Sequence, residues 1–140
     1  MATRILSAVD DRESSQIAIA VAARLANALG VQLTLLAVNQ MLTGVSMAGG
    51  IWEYGEVKKL LDDAALAAAK AGMPTAKTVE ISGRDVATAI VTYAESNHFD
   101  HIVVGSANNH GVARLLLGSV SRDVVSRAHC TVTVARAHSP

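Results

Sequence analysis

The chain has 140 residues, of which 51% are hydrophobic, and its formal net charge is zero. A chain of this length suits one domain with a real core, so a single domain over residues 1–140 is expected. The lack of a basic excess and an aromatic content of 3% argue against nucleic-acid binding, which needs cations for phosphates and rings for bases.

Hydrophobic periodicity predicts five strands that alternate with four helices. The strands are predicted over residues 4–9, 31–38, 77–81, 101–104 and 130–135. The helices are predicted from Ser14 or Ser15 to about 29, from about 53 to 71, from the cap Asp85 to about 97, and from Val120 to 127. Residues 39–51 hold three glycines and are long for a connection in such a fold, which indicates either a functional lid or a mobile loop.

Strict alternation of strands and helices predicts an α/β fold, a five-stranded and mostly parallel sheet with helices on both faces. In such sheets, ligands bind beyond the carboxyl ends of the strands, where the strand order reverses. Asp10, Val38 and the segment that begins at Gly105 each follow or end a predicted strand. These three places could therefore line one crevice of nucleotide size.

The segment 105–119 is the most informative stretch, because it connects a strong strand to a helix and contains three glycines. Free backbone amides and the positive end of the helix dipole would make it an anion site. Ser119 and Ser121 could add hydroxyl donors, and Arg114 could add a charge. The alternative is an ordinary strand–helix connection with glycine turns and a serine cap. The segment is not a P-loop, since it has no Gly-Lys-Ser/Thr tripeptide, and its glycines are too far apart for the dinucleotide fingerprint.

Cys130 is the one cysteine, so no internal disulfide can form, and its apolar surroundings predict a buried core thiol. The first residues start a strand pattern at once and do not look like a signal peptide. No apolar run is long enough to cross a bilayer. We therefore expect a cytoplasmic protein with no membrane insertion.

Several segments together resemble the universal stress protein family in its single-domain, UspA-like form. They are residues 5–10, residues 33–38, Gly83 before the third helix and, most characteristically, residues 102–106 through 115–121. The resemblance implies a Rossmann-like fold of the adenine nucleotide alpha-hydrolase-like type. It also implies a homodimer joined through the strand 130–135, which alternates Thr and Val and would be an exposed edge.

The nucleotide-binding branch of that family carries Gly, two residues, Gly, nine residues and then Gly-Ser/Thr. Here Gly105 and Gly118-Ser119 match, whereas Asn108 replaces the second glycine. Asn is the residue other than glycine that best tolerates positive φ, so the loop conformation can survive, although its side chain could crowd a phosphate or bond to one.

Roles for individual residues follow from the resemblance. Asp10 would contact the adenosine part and Val38 would meet adenine through its backbone. Gly105 and Asn108 would line the phosphate path, and Gly118, Ser119, Val120 and Ser121 would hold the phosphates. The ligand would be ATP or another adenine nucleotide, with or without a Mg²⁺ ion held through phosphate oxygens. Asp10 has a second interpretation, as a turn or helix-cap carboxylate.

Three functions are considered. The leading one is a stress-response regulator that binds an adenine nucleotide and turns over little or none of it, because no general base is evident beside the glycine segment. The alternative is a dimeric interaction module of the same family that binds no nucleotide, which Asn108 favours. An enzyme that adenylates or hydrolyses has the lowest weight.

Overall fold

The structure, a computed structural model, describes residues 3–41, 52–106 and 118–136. Within these residues strands and helices alternate, as the hydrophobic pattern predicts. In chain order the elements are β1 (Arg4–Val9), α1 (Glu13–Leu29), β2 (Gln32–Gln40), α2 (Tyr54–Lys70), β3 (Lys77–Gly83), α3 (Val86–Ser96), β4 (His101–Gly105), α4 (Ser119–Arg127) and β5 (Thr131–Ala135).

The five strands form one sheet in the order β3-β2-β1-β4-β5, and each neighbouring pair is parallel. In the centre of the sheet, Ser7 of β1 stands opposite Leu35 of β2 and Val103 of β4. The chain moves outward from β1 to β3 in one direction and then returns to place β4 on the other side of β1. The strand order therefore reverses between β1 and β4, which is where α/β sheets bind ligands.

Buried side chains cover both faces of the sheet, which confirms the α/β prediction. On one face, Ile5 and Leu35 pack against alanines of α1 and α2. On the other face, Leu6 and Leu36 pack with Ile90 of α3 and with α4. Neighbouring residues of one strand point to opposite faces, so central strands must be apolar throughout. The small alanine side chains let the helices lie close to the sheet.

The start of α1 differs from the prediction. Neither Ser14 nor Ser15 is its cap: Arg12 holds the N-cap position without a side-chain hydrogen bond, and both serines are buried in the first turn. The Ser15 hydroxyl instead accepts a hydrogen bond from the Asp10 amide at 3.0 Å. Thus Ser15 fixes the turn between β1 and α1 rather than the helix end.

The other element ends lie near their predicted positions, with small differences. β2 and β3 both run further than predicted, because Gln40 of β2 pairs with Gly83 of β3 at the end of the ladder. As predicted, Asp85 caps α3, accepting from the Thr88 amide at 3.1 Å. Cys130 precedes β5, and its side chain packs against the core but is only partly buried, so the predicted core thiol is less covered than expected.

The two edges of the sheet differ in chemistry. β3 exposes Lys77 and Glu80, whereas β5 carries only threonine, valine and alanine side chains. Charged side chains discourage an edge from pairing with another strand, and uncharged β-branched residues do not. Of the helices in the described part of the chain, none combines the length and apolarity needed to span a bilayer.

Candidate functional site

A cavity of about 460 Å³ opens at the carboxyl ends of β1, β2 and β4. Its volume falls within the range of about 300–1,000 Å³ that is usual for small-molecule sites. It lies at the reversal of strand order, between the β1–α1 turn on one side and the beginnings of α3 and α4 on the other. The parallel sheet therefore gathers the ends of several elements around one space.

The cavity brings together nearly all of the residues predicted to bind a ligand. Its lining includes Asp10, Val38, Gly105, Gly118, Ser119, Val120 and Ser121. Asn108 and Arg114 lie outside the described residues, so the predictions for them stay predictions. The chain thus places residues that are far apart in sequence at the edge of one crevice.

The beginning of α4 offers backbone amides to the cavity. The helix starts after its N-cap Gly118, and its first backbone hydrogen bond runs from the Arg122 amide to Gly118 O at 2.9 Å. The amides of Ser119, Val120 and Ser121 come before that bond and have no partner within the helix. Together with the positive end of the helix dipole, they form a surface that favours an anion.

The two serines of this turn are not equivalent. Ser119 is exposed, and its hydroxyl has no hydrogen-bond partner among the described residues. Ser121 is 2% exposed, and its hydroxyl donates to Gly118 O at 3.1 Å. In this arrangement Ser121 can offer an anion its amide, whereas Ser119 can offer both its amide and its hydroxyl.

Gly105 ends β4 where the first turn of α1 passes over it. A Cβ atom at this position would stand 2.5 Å from the carbonyl oxygen of Ser14 and 2.9 Å from its Cβ. Such distances are too short for any side chain, so the helix can approach the strand only because residue 105 is glycine. The sequence pointed to Gly105 as part of a phosphate path, and it gave no sign of this packing role.

Asp10 lies at the carboxyl end of β1, where its carboxylate serves the turn and borders the cavity. Its Oδ1 accepts a hydrogen bond from the Arg12 amide at 2.8 Å, as in a turn, and the residue also lines the cavity. Burial raises the pKa of the Asp10 carboxyl above its usual value, although the bond from the Arg12 amide and the Arg12 charge oppose the rise. Asp10 is thus a partly desolvated acceptor facing the space.

Residues at and after the end of β2 form one side of the cavity, and the sequence had predicted only Val38 among them. Val38, Gln40 and Trp52 all line it there. Two hydrogen bonds fix the Trp52 backbone: Asn39 Nδ2 donates to Trp52 O at 2.8 Å, and the Trp52 amide donates to Asn39 Oδ1 at 3.0 Å. Trp52 was not among the predicted site residues, and its rarity as the one tryptophan of the chain was the signal that could have marked it.

The ionisable side chains in the described lining are mostly acidic. They are Asp10, Asp11, Asp85, Asp123 and Arg12. Arg127 lies 3.1 Å from Asp85 and 3.9 Å from Asp123, which offsets part of that charge. Hydrogen bonds from Thr88, with a smaller contribution from Arg127, lower the pKa of Asp85. Within the described residues, no group of three or more His, Cys, Asp or Glu side chains is arranged to hold a metal.

Comparison of the sequence with known proteins identifies the family to which it is similar. A sequence model described as the universal stress protein family matches residues 1–136. The universal stress protein YxiE of Bacillus subtilis is 31% identical over 150 residues, which cover 97% of this chain and 100% of that protein. The universal stress protein MJ0531 of Methanocaldococcus jannaschii is 44% identical over 50 residues, 36% of this chain, and the match spans only 29% of that longer protein.

Comparison of the structure with solved structures gives the same fold. A crystal structure of a universal stress protein in complex with cAMP superposes with a TM-score of 0.78 at 23% identity, covering 99% of this chain and 98% of that one. A universal stress protein from Archaeoglobus fulgidus in complex with dAMP gives a TM-score of 0.74 at 23% identity, with 95% and 97% covered. Both likenesses confirm the predicted Rossmann-like α/β architecture.

Proposed function

Because the chain belongs to the universal stress protein family, we propose that it is a regulatory protein that binds an adenine nucleotide in the cavity at the ends of β1, β2 and β4. The observation that carries the proposal is the convergence of the α4 amides, Gly105 and Asp10 on a space of about 460 Å³. Asp10 would contact the adenosine part, and Val38 would offer its backbone to the adenine.

The phosphates would lie at the beginning of α4. The amides of Ser119 to Ser121 supply donors there, and the helix dipole favours negative charge. Two of the solved universal stress proteins that superpose on this chain are complexes with cAMP and dAMP, which supports an adenosine-type ligand. A Mg²⁺ ion would accompany a nucleotide such as ATP, whose phosphate oxygens can hold it. The described carboxylates form no metal cluster, so phosphate oxygens would supply much of the coordination.

Binding with little or no turnover is the second part of the proposal. Asp10 already accepts a hydrogen bond from the Arg12 amide, and Asp85 and Asp123 are occupied by Arg127. The described lining holds no histidine or lysine, and hydrogen bonds lower the pKa of Asp85, which makes that carboxylate a weak base. We expect phosphate or pyrophosphate release far below the rate of about 1 s⁻¹ that marks the slow end of ordinary enzymes.

Titration calorimetry of the purified chain tests the proposal. ATP, ADP, AMP and cAMP are titrated with and without Mg²⁺, with GTP as the matched control that keeps the phosphates and changes the base. Saturable heat with at least one adenine nucleotide is expected. No heat with any of them would leave the alternative, an interaction module of the family that binds no nucleotide.

A homodimer through β5 completes the proposal. β5 is at the edge of the sheet and carries no charged side chain between Thr131 and Ala135, whereas the opposite edge does. Pairing of β5 with its copy would cover the backbone groups that this edge leaves open. A cytoplasmic location is also proposed, and cell fractionation with an antibody against the chain would test it.

A further inference from the structure

Trp52 is held by two hydrogen bonds and directly precedes the N-cap of α2. The side chain of Asn39 is 4% exposed and makes both of its hydrogen bonds to the Trp52 backbone, at 2.8 Å and 3.0 Å. One residue later, Glu53 and Glu56 form a capping box that fixes the start of α2. The tryptophan is thus fixed from the strand before it and from the helix after it.

The indole also packs against the core. Trp52 contacts a buried cluster made by Ala37 of β2 with Val57 and Leu61 of α2, and it lines the large cavity at the same time. Contact of a large apolar side chain with water in a cavity is unfavourable, unless an apolar group covers that side chain. A fixed aromatic wall of this kind suits a flat, apolar ligand surface.

Strand order decides which part of a nucleotide would meet Trp52. β2 and β4 lie on opposite sides of β1, and neighbouring strands are about 4.8 Å apart, so their ends are separated by about 10 Å. The α4 amides that suit phosphates follow β4, whereas Val38 and Trp52 belong to the β2 side. A nucleotide with its phosphates at α4 therefore extends its base toward β2.

We propose that Trp52 is a specificity-determining residue that contacts the base of the bound nucleotide, and that Asn39 is the positioning residue that holds it there. This inference rests on the proposed function and deepens it by naming the wall that recognises the base. Stacking on an aromatic ring favours a ligand with a base over the same sugar phosphate without one. The cavity then selects nucleotides over phosphorylated sugars.

The chain offers a direct readout, because Trp52 is its one tryptophan. Fluorescence of that residue is followed while AMP is added to the wild-type protein, and ribose 5-phosphate serves as the matched ligand without a base. A saturable change with AMP is expected, with the same midpoint that calorimetry gives. Ribose 5-phosphate should leave the fluorescence unchanged even at concentrations where calorimetry detects its binding.

Variants test the energetic part of the inference. Trp52→Ala should weaken AMP binding by about tenfold or more, since base stacking contributes about that much. Trp52→Phe keeps an aromatic face and should stay within about threefold of the wild type. Leu66→Ala is the control, because Leu66 is a large side chain that is 58% exposed on α2. Circular dichroism confirms that each variant is folded.

The outcomes separate the inference from the proposed function. If calorimetry shows that AMP binds, while tryptophan fluorescence does not change and Trp52→Phe and Trp52→Ala bind as the wild type does, the role of Trp52 is refuted and nucleotide binding stands. If no adenine nucleotide binds the wild type, both fall together. A fluorescence change with AMP alone and selective loss in Trp52→Ala establishes the base contact.

Discussion

Gly105 and Ser14 are in direct backbone contact: a Cβ atom on Gly105 would stand 2.5 Å from the Ser14 carbonyl oxygen. This contact ties the end of β4 to the first turn of α1 at the mouth of the cavity. It joins two elements that are distant in sequence, and it sets how closely the helix covers the sheet. Both the stability of the fold and the shape of the cavity therefore depend on one missing side chain.

Gly105→Ala should lower the free energy of unfolding by about 1–3 kcal/mol, the usual cost of forcing extra volume into a packed site. It should also weaken nucleotide binding, because α1 must move away from β4. Gly55→Ala is the matched control, since a Cβ there meets nothing within 4 Å. Urea denaturation should place the control within about 1 kcal/mol of the wild type. Equal stability of the two variants would contradict the role given to Gly105.

Asn39→Ala should destabilise the protein by about 2 kcal/mol, because it removes two hydrogen bonds and leaves the Trp52 amide and carbonyl unpaired in a partly buried place. Asn97→Ala is the comparison, since Asn97 is exposed and its side chain makes one bond, to Tyr93 O at 2.9 Å. Chemical denaturation of both variants checks the difference. A loss no larger than that of Asn97→Ala would show that the Asn39–Trp52 pair contributes little.

Ser119→Ala and Ser121→Ala should have opposite effects. The Ser121 hydroxyl is buried and donates to Gly118 O, so its loss should cost stability, about 1 kcal/mol, and change affinity little. The Ser119 hydroxyl is exposed beside the α4 amides, so its loss should weaken ATP binding by about tenfold and leave stability unchanged. Thermal melting and calorimetry on the same samples distinguish the two patterns, and the reverse pattern would assign the phosphate contact to Ser121.

Asp10→Asn should make the protein more stable at neutral pH while weakening nucleotide binding. Burial raises the pKa of the Asp10 carboxyl, so the folded state binds its proton more tightly than the unfolded chain does. The neutral carboxyl therefore stabilises the fold below the ordinary pKa of about 3.9, and this contribution is lost as the pH rises through the raised pKa. Asparagine stays neutral and keeps an acceptor for the Arg12 amide.

Melting temperatures measured as a function of pH test this sign. The advantage of Asp10→Asn over the wild type should shrink as the pH falls toward the ordinary aspartate pKa. Asp62→Asn on α2 is the control, because the Asp62 side chain is 64% exposed and pairs with Lys58 at the surface. A variant less stable than the wild type at neutral pH would mean that the Asp10 charge is needed for the fold itself.

Val132→Asp should convert the proposed dimer into monomers, because it places a charge on the open edge of β5. Val132 packs partly against the core, so Thr131→Asp, which changes an exposed side chain, serves as a second variant. Thr78→Asp puts the same charge on the opposite edge and is the control. Light scattering gives the mass of each, and an unchanged dimer mass in both β5 variants would point to another interface.

Local patterns were sufficient to predict the type and order of the elements. The mostly apolar run along 33–38 is buried throughout, and Ile90 lies on the buried face of α3. In α1 the buried face consists mostly of alanines, whereas Leu29 at its end is 55% exposed. Serine preference for helix caps was misleading at Ser15, since the nearby Asp10 amide offered its hydroxyl a better partner. In a tight turn, a specific hydrogen bond of this kind can override the preference of serine for the helix cap.

Much of the candidate site could be predicted because the carboxyl ends of parallel strands always meet at one edge. That rule, with the family resemblance, was enough to select Asp10, Val38, Gly105 and the start of α4. Contacts between distant parts of the chain could not be predicted in the same way. The bonds from Asn39 to Trp52 and the contact of Gly105 with Ser14 join residues that are not neighbours in sequence, and such contacts leave no periodic trace in it.

The unlike edges of the sheet have a consequence for how far assembly could proceed. If two copies join through β5 about a two-fold axis, both outer boundaries of the combined sheet are β3 strands that expose Lys77 and Glu80. A third copy would find no uncharged strand on which to add. Growth would therefore stop at a pair, and the charged β3 edges would keep the protein from forming fibres.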